Sequence, residues 1–253
     1  SGLRAALFRV LGLGVCGVTW AGGALAADGR GNEELLVRWW QLAAWLPVRP
    51  VGAPDADPAA WPEGAPAASR TALAERMRLL PYLDTQGELA VSGGTPVARP
   101  VWWHSPGDRL SRECEDAFAV GDAFLVAPVL EPGCVERRLR LPHGWWYDVA
   151  TGVAHRGPGR LVVPVVRDRL PVFVRAGAVV PVSDGGGGVV LEVWRPRAGR
   201  TGSGALYVPG SGRSGASADV VRLVSRLSGG EVMVTREDGE AVEWPVRVRG
   251  EAW

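Results

Sequence analysis

The sequence predicts an α/β part followed by an all-β part, namely units of a (β/α)8 barrel and then one or two β-sandwich domains. The first third alternates helical and extended signals, and short β-rich runs separated by Pro and Gly turns begin near Val97. A run of four glycines at 185–188 then interrupts the β-rich part. We therefore expect three domains: 1–96 as the barrel part, 97–184 as a proximal β-sandwich and 185–253 as a smaller distal β domain.

Two helices are predicted before residue 46. The segment 33–45 carries an apolar stripe at helical spacing and begins with two acidic residues, which favour a helix N-terminus. The segment 3–11 also has apolar residues at helical spacing. Three glycines are expected to end this first helix: Gly12, Gly14 and Gly17.

Each of these helices is followed by a short apolar run. The runs 18–21 and 46–51 are long enough for buried parallel strands. A third helix, capped by Ser69 or Thr71, is expected to stop at Pro81 because proline disrupts a helix interior. Helices alternating with short strands are typical of consecutive units of an α/β barrel.

Strands separated by Pro/Gly turns are predicted from 97 onwards, as in an antiparallel sandwich. The expected strands are 98–103, 123–129, 137–141, 145–149, 160–166, 172–175, 189–194, 220–227, 232–236 and 242–249. The glycine run 185–188 is predicted to be a flexible break, and the Gly- and Ser-rich segment 195–217 a mobile loop.

Composition excludes few functions. The net charge is +1, so we expect neither nucleic acid nor an anionic membrane surface as a partner. All 28 Lys and Arg residues are Arg, and we do not interpret this as phosphate recognition. Three cysteines without metal-type spacing predict free, mostly buried thiols rather than a disulfide framework, and we expect no metal or cofactor.

No complete catalytic constellation is visible in the residues themselves. The carboxylates of the β-rich part, such as Asp108 and Asp122, lie near turns, where structural roles are common. The three histidines (His104, His143 and His155) are far apart in sequence. The adjacent Trp39 and Trp40 lie on the second helix, where core packing is the expected role, whereas Trp102 and Trp103 should alternate faces of a strand.

Several motifs resemble glycoside hydrolase family 31, in order and spacing. They are ELLVRWWQLAAWLP at 34–47, LLPYL at 79–83, GTPVARPVWW at 94–103, GDAFLVAPVLEPG at 121–133, LPHGWWYD at 141–148 and LPVFVRAGAVVP at 170–181. The resemblance covers roughly 3–182 and implies the C-terminal remnant of a TIM barrel followed by the family's β domains. Two of the runs, AAWLP and RPVWW, are most similar to the animal branch that includes the myogenesis-regulating glycosidase.

The resemblance also implies a mechanism and a binding region. The family's retaining enzymes use two Asp residues on earlier barrel strands, which would precede this sequence. Barrel active sites lie at the C-terminal ends of the strands, so the loops 22–31 and 52–62 should border the substrate pocket. There Ala24 stands at the position of a sugar-binding Asp and Gly52 at that of a polar residue, often His, while Trp61 is a candidate for stacking on a sugar.

Three alternatives remain open at this point. The sequence fits part of an active α-glycosidase, acting on α-glucosides or α-galactosides with a carbohydrate as its partner. It also fits a degenerate member that binds a glycan or a protein without turnover, or a truncated product without independent function. Asp28, Asp55 or Asp57 could replace the carboxylate that Ala24 lacks. By resemblance, the expected compartment is the secretory pathway or a membrane, with any anchor placed before Ser1.

Overall fold

The structure is a computed structural model, and it describes residues 2–22, 32–48, 65–209 and 219–251. Among these residues, four α-helices precede the first strand and a short one follows it. The helices are α1 (Gly2–Val15), α2 (Glu33–Trp45), α3 (Ala65–Arg78), α4 (Leu80–Gly93) and α5 (Arg109–Arg112). The predicted helix 33–45 is confirmed, and Asn32 caps it by accepting a hydrogen bond from the Leu35 N–H at 3.1 Å.

The ends predicted for the first and third helices are wrong. Helix α1 continues through Gly12 and Gly14 and ends at Val15. A Cβ added to Gly14 would lie 3.1 Å from the Cβ of Pro96, so little space remains for a side chain. This close contact explains why a glycine occupies a position inside the helix. Helix α3 starts before Ser69 and Thr71, so neither residue caps it. Pro81 lies in the first turn of α4, where its missing N–H is not required.

The extended segments 18–22 and 46–48 lie side by side, but neither forms a regular strand. The Val48 N–H donates to the Ala21 carbonyl at 3.4 Å, and the Val97 N–H donates to the Thr19 carbonyl at 3.3 Å. Isolated hydrogen bonds do not make a ladder, so the strands predicted at 18–21 and over the described part of 46–51 are not observed. The rest of that second run lies outside the described residues.

The first sheet has six antiparallel strands in the order β1-β2-β3-β6-β4-β5. They are β1 (Ala98–Pro100), β2 (Phe118–Val120), β3 (Phe124–Val126), β4 (Glu136–Asp148), β5 (Ala154–Pro164) and β6 (Val172–Arg175). The two strands predicted at 137–141 and 145–149 are one strand, β4, with a bulge between Leu141 and Gly144. Gly144 has φ 121° there, a conformation that only glycine adopts readily.

The second sheet has the order β11-β10-β9-β7-β8-β12. Its strands are β7 (Val179–Ser183), β8 (Val189–Trp194), β9 (Thr201–Val208), β10 (Asp219–Ser228), β11 (Glu231–Arg236) and β12 (Val246–Arg249). The predicted flexible break is an ordered turn between the paired strands β7 and β8, since Asp184 accepts hydrogen bonds from the Gly186 and Gly188 N–H groups. Strand β9 occupies part of the segment predicted to be a mobile loop.

The largest hydrophobic core joins the helices to both sheets. Trp39 and Trp40 are buried in it, as expected. Trp45 of α2 and Tyr82 of α4 both contact the ring of Phe124 edge-on, with centroid distances of 5.0 and 5.2 Å. Apolar burial of this kind is the main favourable term in folding, and it connects the helical part to the first sheet.

Two other sequence expectations have clear outcomes. Trp102 and Trp103 lie in a short 3-10 helix, Val101–His104, so the prediction that they alternate on a strand is wrong. All three cysteines are free, as predicted, but the expectation that they are mostly buried is wrong: Cys16 is exposed, and Cys114 and Cys134 are only partly buried. Among the described helices, none has both the length and the apolar composition needed to cross a bilayer.

Candidate functional site

The predicted pocket residues Ala24, Gly52 and Trp61 lie outside the described residues, as do Asp28, Asp55 and Asp57. The described residues that precede them are Gly22 and Val48. These two residues therefore define where the two candidate loops begin.

Gly22 and Val48 are in direct contact. A Cβ added to Gly22 would lie 2.6 Å from the Val48 carbonyl oxygen and 3.1 Å from the Val48 Cβ, so only glycine allows this approach. The two loops consequently start from adjacent points. This agrees with the expectation that they border one shared region, although the loops themselves remain predictions.

Arg76 of α3 holds the segment that leads to the second loop. Its guanidinium donates to the carbonyl oxygens of Ala44 at 3.2 Å, Leu46 at 2.7 Å and Pro47 at 2.8 Å. The first of these carbonyls belongs to the end of α2, where intrahelical partners run out. One arginine thus fixes the exit from α2 and the direction of the chain towards Val48. Sequence reasoning missed this role, because a basic residue near a helix C-terminus does not reveal which carbonyls it contacts.

Trp20 fixes the segment that leads to the first loop. Its indole ring lies directly against Gly87 of α4, and no space remains there for a Cβ. Helix α4 is also tied to the first sheet through Tyr82, whose hydroxyl donates to the Val120 carbonyl at 2.9 Å and accepts from the Ala123 N–H at 3.3 Å. Burial is the main cause that raises the pKa of Tyr82, so this phenol stays protonated as a donor.

A polar cluster lies where β1 and the β2–β3 turn meet. Arg99 donates to the Asp122 carboxylate at 2.6 Å, and the His104 Nε2 lies 3.2 Å from the Gly121 carbonyl oxygen. Burial lowers the pKa of His104 more strongly than the charge of Asp122 raises it, so the imidazole is neutral near pH 7 and donates this hydrogen bond. Asp122 and His104 therefore make structural contacts here, and for Asp122 this agrees with the expectation for carboxylates near turns.

A second ionic cluster joins the helical part to the second sheet. The buried carboxylate of Glu192 lies 2.8 Å from Arg78, 3.5 Å from Arg247 and 3.9 Å from Arg249. These residues border a cleft of about 400 Å³ that Trp45 also lines. Three guanidinium groups therefore surround one buried carboxylate. Over the part of the chain that the structure describes, no group of His, Cys, Asp and Glu has the arrangement of a metal site.

Comparison with protein families gives two consecutive matches. The TIM-barrel domain of glycosyl hydrolases family 31 matches residues 1–86, and the glycosyl hydrolase family 31 C-terminal domain matches residues 94–180. Barrel units followed by this β-rich domain define a barrel glycosidase architecture. The chain belongs to glycosyl hydrolase family 31.

Curated relatives of this chain include α-glucosidases. Human neutral alpha-glucosidase AB is 34% identical over 186 residues, which are 71% of this chain and 20% of that protein. A probable glucan 1,3-alpha-glucosidase of rice (Oryza sativa subsp. japonica) is 34% identical over 188 residues, 72% of this chain and 20% of that protein. The chain thus spans about a fifth of the length of the curated relatives it matches. Its assignment to an animal branch of the family stays a prediction.

Solved structures share the fold. A family 31 dextranase from Flavobacterium johnsoniae, complexed with glucose, has a TM-score of 0.80 at 22% identity and covers 97% of this chain and 34% of its own. A family 31 alpha-xylosidase from Xanthomonas citri has a TM-score of 0.79 at 24% identity and covers 97% of this chain and 30% of its own. These likenesses confirm the fold, a barrel part followed by β-rich structure.

Proposed function

We propose that this chain forms the last barrel units and the β domains of a retaining α-glycosidase that acts on α-glucosides. The observation that carries the proposal is the consecutive match to the two family 31 domains, with curated relatives that are α-glucosidases. The family resemblance also allowed α-galactosides, and the names of the relatives favour glucosides. Carbohydrate is the expected partner, because solved neighbours are complexed with glucose and with isomaltotriose.

The chemistry requires residues outside this sequence. Retaining hydrolysis needs two carboxyl groups about 5–5.5 Å apart, one as nucleophile and one as acid and base. In this family both would lie on earlier barrel strands. The 253 residues therefore supply one side of the pocket through Ala24, Gly52 and Trp61, and we expect no turnover from them alone.

A specific observation favours a second candidate, a member that binds sugar without hydrolysing it. Ala24 and Gly52 carry no polar side-chain atom at two positions where the family has sugar-binding groups. A hydrogen bond to a charged group contributes about 1.5–3 kcal/mol, so the loss of such contacts weakens binding of the sugar in its transition state. Trp61 retains a stacking surface in either case.

The division into three domains is part of the same proposal. Barrel units would occupy 1–96, the proximal β domain 97–184 and the distal β domain 185–253. The family matches at 1–86 and 94–180 support the first boundary. Strand β7 precedes the second boundary in sequence and pairs with β8 beyond it, so the two β domains would be joined through one sheet.

Sugar titration tests the proposed pocket. Glucose and isomaltose are titrated into the 253-residue chain by NMR, and Trp61→Ala is compared with Trp103→Ala, which removes a half-buried indole from the 3-10 helix. We expect weak binding that Trp61→Ala abolishes and Trp103→Ala leaves intact. Hydrolysis of an aryl α-glucoside by the 253 residues alone, or sugar binding that ignores Trp61, would overturn the proposal.

A further inference from the structure

A cleft of about 400 Å³ lies where the helical part meets the second sheet. Its volume is within the range of small-molecule pockets, about 300–1,000 Å³. All of the residues that define it lie outside the two candidate barrel loops, and the cleft can bind a ligand whether or not the chain belongs to an active glycosidase. We call it the Glu192 cleft and define it by six of its lining residues: Trp45, Ala72, Leu170, Glu192, Arg247 and Arg249.

Strands β8 and β12 place charged groups along one wall of the Glu192 cleft. The two strands are parallel neighbours, and Arg247 is the direct partner of Glu192 in their register. Glu192 is buried, with 4% of its side chain exposed, whereas the side chains of Arg247 and Arg249 are 58% and 46% exposed. The wall therefore presents a buried carboxylate beside two guanidinium groups that solvent can reach.

The two carboxylate oxygens of Glu192 have different surroundings. Oε2 accepts a hydrogen bond from Arg78 at 2.8 Å. Oε1 lies 3.5 Å from Arg247 Nη1 and 3.9 Å from Arg249 Nε, and both distances exceed that of an ordinary N–H···O hydrogen bond. Among the described residues, none donates a hydrogen bond to Oε1. Because a buried acceptor without a donor is costly, a ligand that carries a donor would stabilise this oxygen.

The helices and the segment before β6 give the Glu192 cleft an apolar surface. Trp45 of α2, Ala72 of α3 and Leu170 all line it. Ala72 is buried and Leu170 is half-buried. The Trp45 ring is held in place by its edge-on contact with Phe124, at a centroid distance of 5.0 Å. A rigid apolar surface thus lies beside a few polar groups, which is the usual composition of a small-molecule site.

The charges around the Glu192 cleft nearly cancel. Its lining residues in the described part of the chain include three carboxylates and four guanidinium groups. Such a balance does not concentrate ligands of high net charge. Carboxylates accept hydrogen bonds and guanidinium groups donate them, so this lining suits a neutral ligand with groups that do both.

We propose that the Glu192 cleft binds a neutral mono- or disaccharide. Each sugar hydroxyl both donates and accepts hydrogen bonds, so one hydroxyl donates to Glu192 Oε1 and neighbouring hydroxyl oxygens accept from Arg247 and Arg249. Hydrogen bonds to charged groups are the stronger kind, which compensates for removing the hydroxyls from water. The C–H face of the sugar ring then packs on Ala72 and Leu170.

An NMR titration locates the binding. Glucose and maltose are added to the isotope-labelled 253-residue chain carrying Trp61→Ala, which removes the stacking surface expected in the barrel loops. We expect weak, saturable binding that shifts the amide signals of 71–78 and 247–249. The same titration of the unmodified chain follows the signals of Gly22 and Val48, which report on the barrel loops. Since the two readouts are separate, the cleft and the proposed pocket can each fail without the other.

Paired variants test the contacts. Arg247→Gln should weaken sugar binding about tenfold, as expected for loss of a hydrogen bond to a charged group. Arg226→Gln on β10 is its control, because it removes an equal charge from an exposed residue that does not line the cleft. Thr71→Trp should block binding, since Thr71 is an exposed lining residue of α3. Met77→Trp places the same ring on an exposed residue of that helix outside the cleft and should leave binding intact.

Three results would overturn the assignment. The first is a titration in which the cleft amides do not shift, and the second is equal weakening by a variant and its control. The third is tighter binding of alanine than of glucose, which would show that the cleft recognises the paired charges of a zwitterion and not hydroxyl groups. Thermal unfolding verifies that each variant retains its fold. Should Thr71→Trp fail to fold, the comparison of Arg247→Gln with Arg226→Gln still decides the outcome.

Discussion

Arg78 of α3 donates a hydrogen bond at 2.8 Å to the buried carboxylate of Glu192 on β8, and so joins the barrel part to the second sheet. Burial alone would lower the pKa of Arg78, but hydrogen bonds and the charges of Glu75 and Glu192 raise it overall. The guanidinium is therefore firmly charged, and the pair connects regions 114 residues apart in sequence.

Removing one member of this pair should destabilise the protein. Arg78→Met leaves Glu192 buried with two more distant arginines, so we expect a loss of about 2 kcal/mol in the free energy of unfolding by urea. This value is reduced from the cost typical of breaking a fully buried pair, because Arg78 is partly exposed. Arg78→Met combined with Glu192→Gln should cost less than the sum of the single changes. Additive effects would show that the two side chains do not interact.

Arg76 should contribute strongly to the segment that leads to the second loop. Arg76→Met removes hydrogen bonds to the carbonyls of Ala44, Leu46 and Pro47, and we expect a loss of about 2–3 kcal/mol in the free energy of unfolding. Arg70→Met is the matched control, because Arg70 is exposed on the same helix. Similar stability of the two variants would refute the positioning role of Arg76.

The contact between Gly87 and Trp20 predicts a steric effect. Gly87→Ala places a methyl group where the indole lies, and overpacking of this kind costs about 1–3 kcal/mol. Gly93→Ala, in the last turn of the same helix, meets only a distant Thr95 hydroxyl at 3.9 Å and should leave stability unchanged or slightly higher. Trp20→Leu should relieve the Gly87→Ala defect in thermal unfolding. A defect that persists without the indole would have another cause.

His104 predicts a specific pH dependence. Its pKa is lowered in the folded state, so between its folded pKa and the ordinary value of 6.5 the unfolded chain binds more protons. Stability from this group is thus fully present above about pH 6.5 and falls as the pH drops towards the folded pKa. His104→Gln retains a donor for the Gly121 carbonyl but does not titrate. We expect urea titrations from pH 7 to 5 to show a smaller stability loss in this variant, and parallel curves would contradict the assignment.

The sequence predicted elements whose signals are local. Helix α2 has its own apolar stripe and cap, and strands β6 and β8 have compact β-branched runs, so their limits agree with the prediction. The remaining elements depend on individual contacts, which hydrophobic periodicity does not reveal. Gly14 stays helical because it packs on Pro96, and the glycine-rich run 185–188 is ordered because Asp184 accepts two backbone hydrogen bonds.

The sequence also predicted only part of the candidate site. Family motifs predicted which loops border the pocket, and the contact between Gly22 and Val48 shows that both loops start together. The roles of Arg76 and Trp20 carried no sequence signal, because each depends on which backbone or ring lies beside it.

The most direct test of the glycosidase proposal is a chimera. Residues 1–180, the part matched by the two family 31 domains, replace the corresponding segment of human neutral alpha-glucosidase AB, with and without Ala24→Asp, and kcat/KM for an aryl α-glucoside is measured. The account predicts that the chimera folds and hydrolyses the glucoside weakly, and that Ala24→Asp raises kcat/KM by about tenfold or more through one charged hydrogen bond to the sugar. A folded chimera that stays inactive with Asp at position 24 would contradict the account and favour a binding protein.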